Sequence, residues 1–351
     1  METINRRNFI KTSMLGGMAL TVPFGYKVAQ FSEKSEAVFT SQVSLTTGDH
    51  RADMAFRALQ PFSKHIKEAI GKKRVLIKPN NVLIDRQLAA THVDHMEGIL
   101  EFLKSIGVTE NIMIGESAAN GDTFEGFDNY LYFDLQKKFK VKLVDLDQED
   151  HELLYVFDEK DFRPHPVRTS SLVLDSDTYV ISAAKLKTHD RVLATLSLKN
   201  IVFGAPVKDP GFAWGKNRKP NTKSDKAIAH GSGYRGINYN LYSLAKVLHP
   251  DLSVIEGMEG MEGDGPNWGT PVDHRVCIAG ADWLASDRVA IELMGIDYAN
   301  VGYLNYCADA GLGEGDLNKI KIIGESLKDH IITYKLNDNL EKQLIWKHPS
   351  G

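Results

Sequence analysis

Short apolar runs, each closed by a polar or glycine-bearing turn, recur along this chain and restrict its fold more than any other feature. They are Val75-Leu76-Ile77, Ile112-Met113-Ile114, Val141 to Leu146, Tyr179-Val180-Ile181, Leu252 to Ile255, Val276 to Ile278 and Ile320 to Ile323. Runs this short and this continuous suit strands covered on both faces. Helical spacings lie between several of them: Met96, Ile99, Leu100, Leu103 and Ile106 keep one face, as do Ile237, Leu241, Leu244 and Leu248. The alternation predicts an α/β fold, a mostly parallel, doubly wound (Rossmann-like) sheet with helices on both faces. Ligands of such sheets sit outside the carboxyl ends of the strands, so the polar residues just after each run are where a site is sought.

The N-terminus carries a different signal. Asn5-Arg6-Arg7-Asn8-Phe9-Ile10-Lys11 is the twin-arginine export pattern, an address rather than a structural element. The weakly apolar stretch from Met14 to Phe24 contains Gly16 and Gly17 and is too short to span a bilayer as a helix. Ser35 and Ala37 supply a small-x-small step. The expectation is a twin-arginine signal peptide over residues 1–37, cut after Ala37, with residues 38–351 forming one α/β domain that works in the periplasm or is otherwise exported. A retained N-terminal anchor is the alternative. The translocation machinery is then one partner, and no transmembrane segment is expected beyond the signal.

Composition narrows the function classes. Hydrophobic content of 42%, charged content of 25% and a net charge of -4 indicate a proper core and give no footprint for nucleic acid. Cys277 and Cys307 are the only cysteines. Two thiolates are too few for a usual cysteine-ligated iron-sulfur cluster or an all-cysteine zinc site, so neither is expected. Cys277 falls in a strand pattern and Cys307 in a helical one, which favours free, packed thiols over a disulfide.

Candidate chemistry gathers at the predicted strand ends. Lys78 follows the first run, and Pro79, before Asn80 and Asn81, holds it extended. A second run leads into Lys185-Leu186-Lys187-Thr188-His189, where strand alternation would set Lys185, Lys187 and His189 on one side. Lys199 and Asn200 come one short helical stretch later. Such a cluster suits a carboxylate or phosphate; its plain reading is a charged loop paired with nearby acids. Glu116 and Ser117 close another strand. Thr91 is a candidate N-cap, and His92 and His95, three apart, read either as a metal pair or as capping and surface residues.

Glu256-Gly257-Met258-Glu259-Gly260-Met261-Glu262-Gly263-Asp264-Gly265-Pro266 reads as an oxygen-rich turn, able to hold a hard cation or to orient a base; it also reads as an ordinary surface loop. Ala205 to Gly236 carries Lys208, Lys216, Arg218, Lys219, Lys223, Lys226 and Arg235 with three prolines, and is expected to be a long basic inserted loop ending near His230. Gly231-Ser232-Gly233-Tyr234-Arg235-Gly236 matches the dinucleotide fingerprint literally but has no strand before it. Ser117 and Ser232 lack the flanks of a nucleophile elbow.

Taken in order, Ile77-Lys78-Pro79-Asn80, Ala90-Thr91-His92, Gly115-Glu116-Ser117, Lys185 to His189, Leu198-Lys199-Asn200, His230 and Met261 to Pro266 resemble the uncharacterised bacterial and archaeal family called domain of unknown function 362, from about Ser44 to Gly324. Ala279-Gly280-Ala281-Asp282 and Ala285-Ser286-Asp287 resemble the family's strand-to-helix step, where Asp287 faces a ligand or caps a helix. Some relatives add a ferredoxin-like cluster domain, for which this chain lacks cysteines.

The resulting expectation is an exported enzyme acting on a small anionic molecule. His189, Glu116 and Glu256 would supply acid-base or divalent-metal chemistry. Lys78, Asn80, Lys185, Lys187, Lys199, Asn200 and His230 would bind the substrate, and His92, Glu262 and Asp264 would hold a metal if one is used. The alternative is a non-catalytic periplasmic ligand-binding protein or an accessory protein for a redox enzyme.

Overall fold

The computed structural model describes residues 41–214 and 219–348. The twin-arginine pattern and the cleavage expected after Ala37 lie outside the described residues, as do Lys216 and Arg218. The strands are β1 (Ser41–Thr47), β2 (Arg74–Lys78), β3 (Ile112–Glu116), β4 (Val141–Asp145), β5 (His151–Asp158), β6 (Arg163–Ser170), β7 (Thr178–His189), β8 (Leu193–Thr195), β9 (Leu252–Glu262), β10 (Thr270–Gly280) and β11 (Ile320–Gly324). Nine of them form one sheet in the order β11-β1-β10-β9-β7-β2-β3-β4, with β8 added to β7. Neighbours from β9 through β7, β2 and β3 to β4 are parallel, and β10 runs against both β9 and β1. β5 and β6 make a separate antiparallel hairpin.

Two apolar layers sandwich this sheet. Alternate residues of the central strands, such as Val75, Ile77, Ile181, Ala183 and Val254, pack against α1 (Arg51–Leu59), α2 (Ser63–Ile70), α3 (Val93–Ser105), α4 (Thr123–Asn129) and α5 (Tyr132–Lys138). The other set, Leu76, Val180, Ala184 and Ile255, packs against α6 (Ser171–Leu174), α7 (Ser197–Val202), α8 (Asp225–His230), α9 (Gly233–Ala245), α10 (Trp283–Leu293) and α11 (Gly302–Asp309). Early helices therefore cover one face and late helices the other, the doubly wound arrangement expected from the alternation of runs. Cys277 and Cys307 are free, buried thiols in opposite layers, so the sheet itself separates them.

The winding sets the site. From β2 the chain moves outward to β3 and β4, then returns to the far side of β2 as β7 and continues to β9. Strand order thus reverses between β2 and β7. A crevice opens at the carboxyl ends of strands at such a switch point because the connections leave in opposite directions.

Three sequence expectations change and one is met. The glutamate- and glycine-rich segment from Glu256 is not a turn: β9 continues to Glu262, paired with β10 from Gly257 opposite Val276 to Glu262 opposite Thr270. Its glycines allow close packing, since a Cβ at Gly260 would strike the Tyr334 ring and one at Gly257 would crowd Val276 and Leu186. The basic segment is shorter as a loop than expected, because α8 forms inside it and α9 begins at Gly233. Arg168 of β6 ties it down by pairing with Asp209 and Asp225. The G-x-G-x-x-G match follows a helix, not a strand, so it has no dinucleotide setting. Finally, Thr91 does not cap α3. His92 does, its Nδ1 accepting from the Asp94 amide at 3.1 Å, while the Thr91 hydroxyl donates to the Ala183 carbonyl.

Asp287 has a role the sequence left open between two others. Asp282 caps α10, accepting from the Ala285 amide. Asp287, fully buried on α10, instead accepts from the Ser197 and Leu198 amides at 2.8 and 3.0 Å, the first donors of α7. Burial pushes its carboxyl up to about 7, against the pull of those two donors. Asp287→Ala leaves two buried amides without acceptors, and the expected loss is about 2–4 kcal/mol of unfolding free energy in urea denaturation. A loss within error of zero would show that α7 is held by something else.

Candidate functional site

Lys78, the last residue of β2, reaches across the switch point. Its Nζ lies 2.6 Å from Glu116 Oε1, at the end of β3, and also donates to the Pro79 carbonyl at 3.0 Å and to Asn200 Oδ1 at 3.3 Å. Glu116 accepts two further bonds, from the Asn81 amide at 2.8 Å and the Ser117 amide at 2.9 Å. The pair is buried, at 1% and 3% side-chain exposure. Asn200 of α7 joins both sides of the crevice: its Nδ2 donates to the Lys78 carbonyl and to Ser182 Oγ of β7, and its Oδ1 accepts from Asn80 Nδ2. Gly204 lets the lysine pass, because a Cβ there would overlap Lys78 Nζ and the Asn200 carbonyl.

Beside this pair is a cavity of about 70 Å³, with Lys78, Glu116, His189, Lys199, Lys226 and His230 among its walls. A water needs about 10–15 Å³ of such volume, so the cavity admits a molecule of only a handful of heavy atoms. Lys199 Nζ is 3.2 Å from His230 Nε2. His230 Nδ1 lies 2.9 Å from the Lys226 carbonyl, so it must carry the ring proton and leave Nε2 as an acceptor. Lys226 Nζ donates to the Gly204 carbonyl at 2.5 Å. His189 Nδ1 accepts from the Arg191 amide, and its ring lies 6.0 Å from that of His230, nearly parallel.

The electrostatics follow from burial with no carboxylate hydrogen-bonded to Lys199 or Lys226. Desolvation holds the Lys199 amine down at about 7 against the field of Asp190. The same cause, reinforced by Lys78, holds Lys226 at about 7. Burial and Lys199 push His230 down to about 3, and burial with the same lysine keeps His189 neutral well below its ordinary range. Three buried polar atoms on cavity-lining residues have no hydrogen-bond partner among the described residues: Asn80 Oδ1, Asn81 Nδ2 and Thr195 Oγ1. Buried polar groups are seldom left so.

Other sequence candidates fall elsewhere. Lys185 and Glu256 form a separate buried pair at 3.0 Å, which Arg51 extends to Glu256 and Glu259. Burial opposes ionisation of Glu256, but Lys185, His95 and Arg51 outweigh it and hold the carboxyl at about 2. Lys187 donates to the Ala89 carbonyl and does not line the cavity. Lys185 and Lys187 do not join the cavity because alternation along β7 puts them in phase with Ile181 and Ala183, in the layer opposite the one that Lys78 shares with Leu76. His92, Glu262 and Asp264 do not form a ligand set: each has its own partner, the amides of Asp94 and Lys335 and the Asn337 side chain. No group of three or more His, Cys, Asp or Glu side chains among the described residues is placed to hold a metal ion. Sequence reading missed Lys226, Asn81 and Thr195 as cavity residues. Asn81 was adjacent to a named candidate, whereas Lys226 was hidden in a run of basic residues whose helix is only six residues long.

Fold and cavity define a doubly wound α/β protein with a small, amine-lined chamber at its switch point. The chain belongs to the family described as domain of unknown function (DUF362), whose model matches residues 75–292. It is 26% identical over 230 residues to a thylakoid-associated protein of Synechocystis sp., a match covering 65% of each chain and so just under two thirds of that relative's length. It is also similar to a Thermotoga maritima protein of known crystal structure, at 14% identity and a TM-score of 0.39, over 62% of this chain and 52% of that one.

The Lys78–Glu116 pair gives a direct test of what holds the site. Glu116→Ala strands a buried ammonium and is expected to cost about 3–5 kcal/mol in urea unfolding, whereas Lys78→Met with Glu116→Leu recovers most of that loss. Equal losses in both variants would mean that the site depends on the shape of these residues rather than on their charge.

Proposed function

We propose that this protein is an exported enzyme that binds a small oxyanion, a carboxylate or phosphate, in the cavity and moves protons with the amines and imidazoles around it. One observation carries the reading: Lys199 and Lys226, both buried, line the cavity with no carboxylate hydrogen-bonded to either, beside three orphaned polar atoms. An anion would supply the missing charge. Asn81 Nδ2 and the Thr195 hydroxyl are donors for its oxygens, and Asn80 Oδ1 is an acceptor for a hydroxyl or protonated oxygen. Lys78 and Asn200 would frame the chamber. His189 and Lys199, neutral or near neutrality at physiological pH, suit acid-base work better than Glu116 does, whose carboxylate already accepts three hydrogen bonds. Lys185, Lys187 and Glu256 would act from outside, by supporting the strand ends.

A second reading, a binding protein without turnover, draws on that same occupation of Glu116, the single carboxylate among the lining residues. A metabolite that co-purifies and is returned unchanged by fresh protein favours the binder; its conversion favours the enzyme.

The amines fix the sign of a pH effect. Both sit at about 7, below the ordinary lysine range, so the folded state binds fewer protons than the unfolded chain above that point. Their contribution to stability therefore increases as pH rises from about 7 toward the unfolded lysine value of about 10.4. A bound anion reverses the preference by favouring the ammonium forms. Calorimetric titration with sulfate, whose charge is constant here, should show proton uptake on binding. Affinity should fall as pH increases from about 6 to about 8, by at most about tenfold per pH unit for each amine that must be charged. Binding independent of pH, or unchanged in Lys199→Met and Lys226→Met, would sink the reading.

Export has its own test. Replacing Arg6 and Arg7 together by lysine should retain the protein in the cytoplasm of a cell with a twin-arginine system, as read by fractionation. Undiminished export would remove the twin-arginine reading and leave the cavity proposal intact.

A further inference from the structure

The buried lysines fall into two chemical groups. Lys78, Lys185 and Lys208 each pair with a carboxylate, those of Glu116, Glu256 and Asp147. Lys187, Lys199 and Lys226 have none in hydrogen-bonding contact, and their Nζ atoms meet a carbonyl, an imidazole and a carbonyl. Only Lys199 and Lys226 of this second group line the cavity. They are not equivalent. The Lys226 amine is committed to the Gly204 carbonyl at 2.5 Å, a short contact that fixes it as a donor. The Lys199 amine has only the lone pair of His230 Nε2 at 3.2 Å and the face of Phe203, whose ring centre is 5.5 Å away. An amine with no carboxylate partner, against an apolar wall in a small chamber, is the setting in which lysine acts as a nucleophile rather than as a charge.

We propose that Lys199 is a catalytic nucleophile that forms a reversible imine with a small 2-oxo acid, a substrate class that deepens, and rests on, the anion-binding reading. The carboxylate of such a molecule would meet the Lys226 ammonium and the orphaned Asn81 amide, leaving its carbonyl carbon toward Lys199. A two- or three-carbon 2-oxo acid suits the cavity volume. His230 takes one amine hydrogen and so turns the nitrogen lone pair away from itself. The near-neutral titration of Lys199 agrees with this role, since a large fraction of the amine is unprotonated at physiological pH.

The step balances without any co-reactant. The Nζ lone pair forms a bond to the carbonyl carbon while the C=O pair moves to oxygen. A proton passes from nitrogen to that oxygen, giving a carbinolamine. The hydroxyl takes one further proton from solvent and leaves as water, and the nitrogen lone pair closes the C=N bond. Amine, carbonyl and one proton thus become an iminium and water, with no change of oxidation state.

Reductive trapping reads this directly. The full-length protein is incubated with glyoxylate and cyanoborohydride near neutral pH, digested and mapped by mass spectrometry. The expected result is one saturable adduct on Lys199, suppressed by sulfate, absent in Lys199→Arg and retained in Lys226→Arg at higher glyoxylate concentration. Peptide mapping of the unmutated chain keeps the test decisive even if a variant fails to fold. Adducts confined to exposed lysines with Lys199 unmodified, or centred on Lys226, overturn the proposal. If sulfate binds and Lys199 stays unmodified, the imine alone falls; if sulfate does not bind either, the anion-binding reading falls with it.

Discussion

Removing an ammonium group from water costs several kcal/mol even after the protein relaxes around it. Among the described residues this fold does so six times, at Lys78, Lys185, Lys187, Lys199, Lys208 and Lys226. The Lys78–Glu116 pair makes the arrangement tenable at the switch point. It neutralises a buried charge; Asn200 and the Asn81 amide bond to it and Asn80 bonds to Asn200, so two strands, a helix and the following loop share one network. Lys187, Lys199 and Lys226 are left with less than full compensation. That incomplete compensation gives the cavity its chemistry.

Much of the fold was legible because it rests on patterns that a sequence displays. Continuous apolar runs mark strands covered twice, and each run named from sequence lies within one of the strands β2, β3, β4, β7, β9, β10 and β11, save that the Val141 run overshoots its strand by Leu146. What stayed hidden depends on partners distant in sequence. β1 has no continuous apolar run, only Val43 and Leu45 among polar residues, and finds its neighbours β10 and β11 more than two hundred residues later. The glycine-rich end of β9 resembles a turn until β10 is laid beside it. The small helix α8 is stabilised by what it packs on, and its own sequence scarcely announces it.

The site was legible in part for the same reason. Lys78, Glu116, His189, Lys199, Asn200 and His230 stand at the edges of recognisable elements, where polar residues after apolar runs are conspicuous, and all six line the cavity. Strand alternation extended this to Lys185 and Lys187. The rule holds within β7, but it says nothing of which layer each strand end faces, and Lys185 and Lys187 are in phase with Ile181 and Ala183, opposite the layer of Leu76 and Lys78. Pairing is equally invisible in one dimension: nothing about Glu256 by itself distinguishes a base from the counter-ion of Lys185 and Arg51.

The hold of Asp287 on α7 bears on when the site can come into being. Lys199 and Asn200 belong to a helix six residues long, too short to persist alone, and its opening amides find their acceptors about ninety residues further along the chain. A ribosome-bound nascent chain that has delivered β2, β3, β7, α7 and α8 possesses every lysine of the chamber and still lacks the carboxylate that orients the helix carrying one of them. The cavity is therefore a late product of folding. Synthesis must run past α10 before the amines acquire their unusual chemistry, so the reactive surface does not exist while the chain is half made.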